Sequence, residues 1–155
     1  MGKPCELITW DRSYALCRRL AERIRESGYQ PDIIVAIGRG GWVPGRVLAD
    51  LLGLMALTSF KIEHYHGPHK LEKTVVKYPL SADLSGQRVL LVDDVSDSGD
   101  TFQVALEHLR SRGTPRTIRT AVIHHKIQSS FTPDFYAQKL VKWRWLTYPW
   151  AQMED

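Results

Sequence analysis

From Thr9 to Gly28 apolar residues recur at helical spacing, at Tyr14, Cys17, Leu20, Ala21 and Ile24, behind a capping threonine and ahead of Ser27-Gly28. That spacing predicts an amphipathic helix. The period then changes. Asp32 to Ile37 is a β-branched run halted by Gly38, and Pro44 to Leu52 returns to helical spacing, which predicts strand, glycine loop and helix. The same order recurs further on. Arg88 to Val92 is an apolar strand running into Asp93-Asp94, a turn falls at Ser98-Gly99, and a helix is predicted from about Asp100 to Ser111. Arg116 to His124 supplies one more strand. Continuous apolar strands alternating with helices predict an α/β fold with a mostly parallel central sheet covered on both faces. Ligands of such sheets gather at the carboxyl ends of the strands.

Two regions break the alternation. Glu63 to Lys77 carries His64, His66, His69 and several lysines, and is expected to be a mobile polar excursion between strands Leu57 to Ile62 and Thr74 to Tyr78. Asp134 to Trp150 is unusually aromatic, with Trp143, Trp145, Trp150, Phe135, Tyr136 and Tyr148, more than a chain end needs for packing. The chain of 155 residues, 43% apolar, suits one core, so a single domain over 1–155 is expected. No apolar run is long enough to cross a bilayer and no secretory pattern opens the chain, so an intracellular, cytoplasmic protein without a membrane partner is expected. Cys5 and Cys17 have neither metal-ligand spacing nor the makings of a disulfide framework. A net charge of +4 suits an anionic partner without saying which one.

The chemistry concentrates between Val89 and Thr101. There an apolar strand delivers Asp93 and Asp94, then Val95, Ser96 and Asp97, and ends in the loop Ser98-Gly99-Asp100-Thr101. A loop of small and hydroxyl residues at a helix start offers N–H groups, hydroxyls and the positive end of the helix dipole to a phosphate. Paired carboxylates at a strand end can take hydrogen bonds from ribose hydroxyls, directly or through a hard cation such as Mg²⁺. One segment can therefore hold a sugar phosphate at both ends.

This segment resembles the phosphoribosyl pyrophosphate (PRPP) signature of type I phosphoribosyltransferases, and Ile33 to Trp150 is similar to the small purine branch, the xanthine-guanine and other 6-oxopurine enzymes. The resemblance implies the type I phosphoribosyltransferase fold with a small C-terminal hood, contributed mainly by about 134–155. It implies Mg²⁺-dependent transfer of ribose 5-phosphate from PRPP to a purine base, with pyrophosphate released, in purine salvage. Gly38-Arg39-Gly40-Gly41 is similar to the family's pyrophosphate loop, where Arg39 and Gly40 bind PRPP together with Asp93, Asp94, Val95, Ser96, Asp97, Ser98, Gly99, Asp100 and Thr101. Asp94 becomes the metal ligand. Asp97 becomes the acid or base facing the purine imidazole, with Lys126 on the 6-oxo group, Trp145 stacked on the ring and the Leu146 main chain reading its edge. Trp143 and Trp150 are assigned to hood packing or a subunit contact.

Displacement at the anomeric carbon passes through oxocarbenium character, so positioning and electrostatics suffice and no nucleophile is expected. The excursion Glu63 to Lys77 then serves as a lid that keeps water from PRPP, with Lys70 or Lys73 standing where the branch has an arginine. Its histidines fit a solvated lid better than a metal site. Ala151 stands where the branch has an acid, which leaves the choice among guanine, xanthine and hypoxanthine open. The partners implied are PRPP, a purine base or its nucleoside monophosphate, and further copies of the chain in a dimer or tetramer. Nucleic acid is not the expected partner, since too few residues precede the first helix for a helix-turn-helix, although an RNA-binding regulator on the bare fold stays among the alternatives. The alternative is a regulator on the same fold that senses PRPP or a nucleotide without catalysis.

Overall fold

A computed structural model of the chain describes residues 5–66, 72–142 and 144–151. Its elements run β1 (Cys5–Leu7), α1 (Trp10–Glu26), β2 (Ile33–Gly38), α2 (Trp42–Leu52), β3 (Leu57–His66), β4 (Glu72–Tyr78), β5 (Arg88–Ser96), α3 (Asp100–Arg110), β6 (Thr117–Lys126), β7 (Phe135–Leu140) and β8 (Trp145–Thr147). Six strands form the main sheet in the order β4-β3-β2-β5-β6-β7. All neighbours are parallel except β3 and β4, which pair as an antiparallel hairpin. This is the expected α/β architecture.

Alternation along buried strands divides the core into two layers. Ile34, Leu90, Val92, Ala121 and Ile123 face Leu16, Leu20 and Ile24 of α1 and Leu48 of α2. Their neighbours Val35, Ile37, Val89, Leu91 and Val122 face Phe102, Ala105 and Leu109 of α3. Both sides of β2 and β5 are covered, which is why these strands read as unbroken apolar runs. In α1, Thr9 accepts a hydrogen bond from Arg12 N at 3.1 Å, a cap that stabilises the helix by about 1 kcal/mol. The buried stripe of α1 is Ser13, Leu16, Cys17, Leu20, Ala21 and Ile24, while Tyr14, expected in it, is half exposed.

Three segments differ from expectation. Much of Glu63 to Lys77 is strand: β3 runs on to His66 and β4 starts at Glu72, with Glu63 opposite Val75 and His64 opposite Thr74. A two-stranded edge hairpin needs no continuous apolar run, so its polar residues hid it. Lys70 and His69 lie outside the described residues. Phe135–Leu140, expected in the hood, is the parallel edge strand beside β6. What remains above the sheet is a second, two-stranded parallel pair, β1 with β8, in which Cys5 faces Trp145 and Glu6 faces Leu146. Among the described residues no helix is long and apolar enough to cross a membrane.

The chain passes outward from β2 to β3 and β4, then returns to β5 and proceeds the other way to β6 and β7. Between β2 and β5 the following helices therefore diverge, α2 to one face and α3 to the other. A crevice at that switch point is the natural place for a ligand.

Candidate active site

A cleft of about 590 Å³ opens there, lined by Arg39 and Gly40 from the loop after β2, Asp93 to Gly99 and Thr101 from the end of β5, and Lys61, Glu63 and His64 from β3. The glycine loop is shaped for close approach. A Cβ on Gly41 would lie 2.4 Å from Val92 O and 2.7 Å from Ile37 O, and one on Gly40 would lie 2.6 Å from the Asp94 carboxylate. Only glycine lets this backbone settle between the two strands and against the acid. The peptide bond between Gly38 and Arg39 is cis.

Asp93 is buried, and its Oδ1 accepts the Asp94 N–H at 2.8 Å. Burial, with the Asp94 charge second, pushes its carboxyl well above the usual carboxylate range. Asp94 remains partly open and its carboxyl is also raised by burial, with the Trp150 indole N–H pulling it back from 3.3 Å. The Tyr148 hydroxyl donates to the Asp94 carbonyl at 3.2 Å and meets His124 Nδ1 at 2.7 Å. Tyr148 and Trp150 stack with centroids 4.9 Å apart. Trp150, expected only to pack, thus also holds the acid; Trp143 lies outside the described residues.

The loop after β5 is clamped from below. Gly99 takes φ +95° and sits where a Cβ would reach Ser130 Oγ, while Ser130 bonds Ser98 O through N at 3.1 Å and Oγ at 2.8 Å. Ser96 lines the cleft, but its buried hydroxyl is paired with His125 Nδ1 at 2.7 Å. Val95 packs against the α1-side core, and Thr101 Oγ1 lies 3.2 Å from His64 Nε2. Lys126, buried at the end of β6, reaches Asp97 with Nζ to Oδ2 at 3.3 Å, which sets the two expected base-site charges side by side at the cleft.

The remaining expected residues do not line the cleft. Asp100 is exposed in the first turn of α3, Trp145 is 45% exposed, and Leu146 packs against the α1-side core. Lys61 was not anticipated at the cleft, and Glu63 and His64, expected in a lid, line it from a strand; strand alternation in this polar stretch was the available signal. Lys61 and Glu63 pair at 2.9 Å, while Lys73 is exposed away from the cleft. No group of three or more His, Cys, Asp or Glu converges as a metal site among the described residues, which leave out His69.

A mostly parallel sheet whose switch point joins a glycine loop, an acid pair and a hydroxyl loop at a helix start is an arrangement suited to phosphorylated ligands. Residues 6–151 match the phosphoribosyl transferase domain family, and the chain belongs to that family of enzymes. It is 34% identical over 144 residues to a xanthine-guanine phosphoribosyltransferase of Vibrio atlanticus, covering 93% of this chain and 87% of that one. A Gluconobacter oxydans protein of the same name is 30% identical, covering 92% and 82%. Among solved structures, a purine phosphoribosyltransferase from Pyrococcus horikoshii superposes with a TM-score of 0.86 at 33% identity, covering 97% of each chain. A Neisseria gonorrhoeae protein with bound ppGpp superposes with a TM-score of 0.85 at 28% identity, covering 99% of this chain and 93% of that one.

Proposed function

We propose that the protein transfers ribose 5-phosphate from PRPP to a 6-oxopurine and releases pyrophosphate, in purine salvage in the cytoplasm. The observation that carries this reading is the Lys126–Asp97 pair beside the acids of β5. A 6-oxopurine offers a carbonyl to the ammonium and an imidazole nitrogen to the carboxylate, whereas adenine would present an amino group to Lys126. Ser98, Gly99, Asp100 and Thr101 hold the 5′-phosphate at the start of α3, with Val95 and Ser96 shaping the floor. Arg39 and the Gly40 backbone hold the diphosphate, and Asp93 and Asp94 hold the ribose hydroxyls. As the bond from the anomeric carbon to pyrophosphate lengthens and the bond to the purine nitrogen forms, Asp97 takes the imidazole proton. Trp145 stacks on the base and the Leu146 main chain reads its edge, which requires the β8 tail to come down over the cleft.

The acids fit Mg²⁺. Two raised carboxyls at one strand end lack only positive charge, and a site with few protein ligands suits an ion that takes the rest from water and diphosphate. Asp94, with Asp93 beside it, would hold the ion, which neutralises the departing pyrophosphate. Single-domain organisation and a homo-oligomer, dimer or tetramer, complete the reading. The exposure of Trp10, Tyr14 and Trp42 along α1 and α2 supports the latter.

The test is pyrophosphate release from PRPP and Mg²⁺ with guanine, hypoxanthine, xanthine, adenine and a pyrimidine, for the natural protein, Asp97→Asn and Lys126→Met. Turnover confined to 6-oxopurines, lost at least tenfold in Asp97→Asn and with raised purine KM in Lys126→Met, is the expected result. A second reading, a nucleotide sensor on the same cleft, draws on the Neisseria neighbour with ppGpp. Binding of PRPP or ppGpp without turnover of any base would replace the first reading with the second.

A further inference from the structure

We propose that His64 is a ligand of the 5′-phosphate, carried to it by the β3–β4 hairpin, so that the hairpin answers to a phosphomonoester and not to the sugar or base. The proposal rests on the reading that the loop from Ser98 to Thr101 holds that phosphate. His64 lines the cleft opposite that loop, with Nε2 3.2 Å from Thr101 Oγ1. Its other nitrogen is held: Nδ1 lies 3.0 Å from Oγ1 of Thr74, its cross-strand partner in β4. The ring is thus carried on a paired strand and oriented from behind by a second hydroxyl. Ile62, two residues earlier on the same strand face, is buried in the core that α3 covers, and this anchors the face that points His64 at the first turn of α3.

Hydrogen-bond capacity explains what the arrangement is for. A hydroxyl has one hydrogen, and an imidazole whose Nδ1 accepts carries its proton on Nε2. In the tautomer in which Thr74 donates to Nδ1, Nε2–H points at Thr101 and leaves the Thr101 O–H free. A phosphate dianion at the start of α3 can then accept from both groups, in charge-assisted bonds stronger than the neutral contact they make with each other. A nucleoside has no phosphate to accept from these two donors. A phosphorylated ligand is thereby contacted from β3 by a residue outside the signature loop.

The experiment is calorimetric binding of ribose 5-phosphate, guanosine monophosphate and guanosine to the natural protein, His64→Ala, His64→Gln and Thr74→Val. Loss of one hydrogen bond to an anion is expected to weaken ribose 5-phosphate and guanosine monophosphate about tenfold in His64→Ala, with guanosine unchanged. His64→Gln, whose amide can donate from near the Nε2 position, should recover part of the loss. Thr74→Val should fall between, because the ring keeps its donor and loses its orientation. Unchanged affinity of His64→Ala for ribose 5-phosphate, or an equal loss for guanosine, overturns the proposal and leaves the assigned function standing. Failure of the natural protein to bind either phosphorylated ligand overturns both.

Discussion

Gly40 and Gly41 are adjacent, and a methyl group added at each is expected to do opposite things. At Gly41, which has an ordinary helical φ of −82°, a Cβ would lie 2.4 Å from Val92 O and 2.7 Å from Ile37 O, both backbone atoms of central strands. Neither can retreat without opening the sheet, and the Gly41 N–H bond to Ile37 O at 2.8 Å would be lost as well. Overpacking against backbone costs about 3 kcal/mol, which in a domain of this size lowers Tm by about 6 to 12 °C. At Gly40 the obstacle is the Asp94 side chain, 2.6 Å from the added carbon at Oδ2 and 2.8 Å at Oδ1. A carboxylate can rotate away, so Gly40→Ala should fold with Tm within a few degrees of the natural protein. Rotation takes Asp94 off the Trp150 indole and, on the proposed function, away from the ribose hydroxyls it would hold. Loss of one charge-assisted bond to the substrate corresponds to about 10- to 100-fold in kcat/KM for PRPP. Steady-state pyrophosphate release against PRPP concentration, with a thermal melt on the same samples, separates the two variants. A Gly40→Ala enzyme with kcat/KM within about twofold of the natural protein would refute the packing argument, as would a Gly41→Ala protein that melts normally.

Burial holds the Asp93 carboxyl above its ordinary value of 3.8, so its contribution to stability is present below that pH and is lost as pH rises. Asp93→Asn should therefore melt higher than the natural protein at pH 7, with the gap closing towards pH 3, and should gain less Tm than the natural protein when PRPP and Mg²⁺ are added; a lower Tm at pH 7 would contradict this. His124 is the opposite case, lowered by burial from 6.5 to about 4, so the unfolded chain takes up its proton first and stability falls as pH drops through that window. The loss should be about 3 kcal/mol by urea titration between pH 6.5 and pH 4, and largely absent in His124→Gln. Asp32, held down to about 2 by hydrogen bonds from Arg88, stabilises the fold above its ordinary 3.8 and gives that up as pH falls towards 2. Asp32→Asn should flatten that lower acid limb without touching the His124 window, as followed by circular dichroism.

Legibility in the sequence tracked how local each interaction is. β2 and β5 are covered on both faces and flanked by glycine loops, so their runs and the chemistry at their ends lie within about a dozen residues of chain. The residues from Asp93 to Gly99 and Thr101 that line the cleft belong to this class, while Asp100 does not line it. β7 carries Gln138 and Lys139 among its aromatics because it is an edge strand, and a half-polar aromatic segment reads equally well as a hood. The hairpin is similar: Lys61 and Glu63 pair with each other on its edge, and Lys77 reaches Tyr65, so charges that suggest solvent are partners along and across strands. Least legible were contacts with no local trace, such as His64 on Thr101 or Tyr148 on Asp94, 37 and 54 residues apart in the chain.

Those distant contacts explain how the fold tolerates its own site. A strand end at the switch point is where a ligand can be gripped from both faces, but it is also where β2 and β6 crowd around whatever β5 delivers. Two adjacent carboxyls there are raised by burial, and like charges side by side add to the penalty. The Asp94 N–H satisfies Asp93, the Trp150 indole meets Asp94, and Tyr148 occupies the Asp94 carbonyl, so the acids are held in place by neutral donors before any cation arrives. Neutral donors fix direction without cancelling charge, which leaves the negative potential for the ligand side of the cleft. The aromatic tail therefore belongs to the site for two separate reasons. Trp145 and Leu146 are the residues that the proposed function sets on the base, whereas Tyr148 and Trp150 hold the crowded Asp94 at the crevice through its carbonyl and its carboxylate.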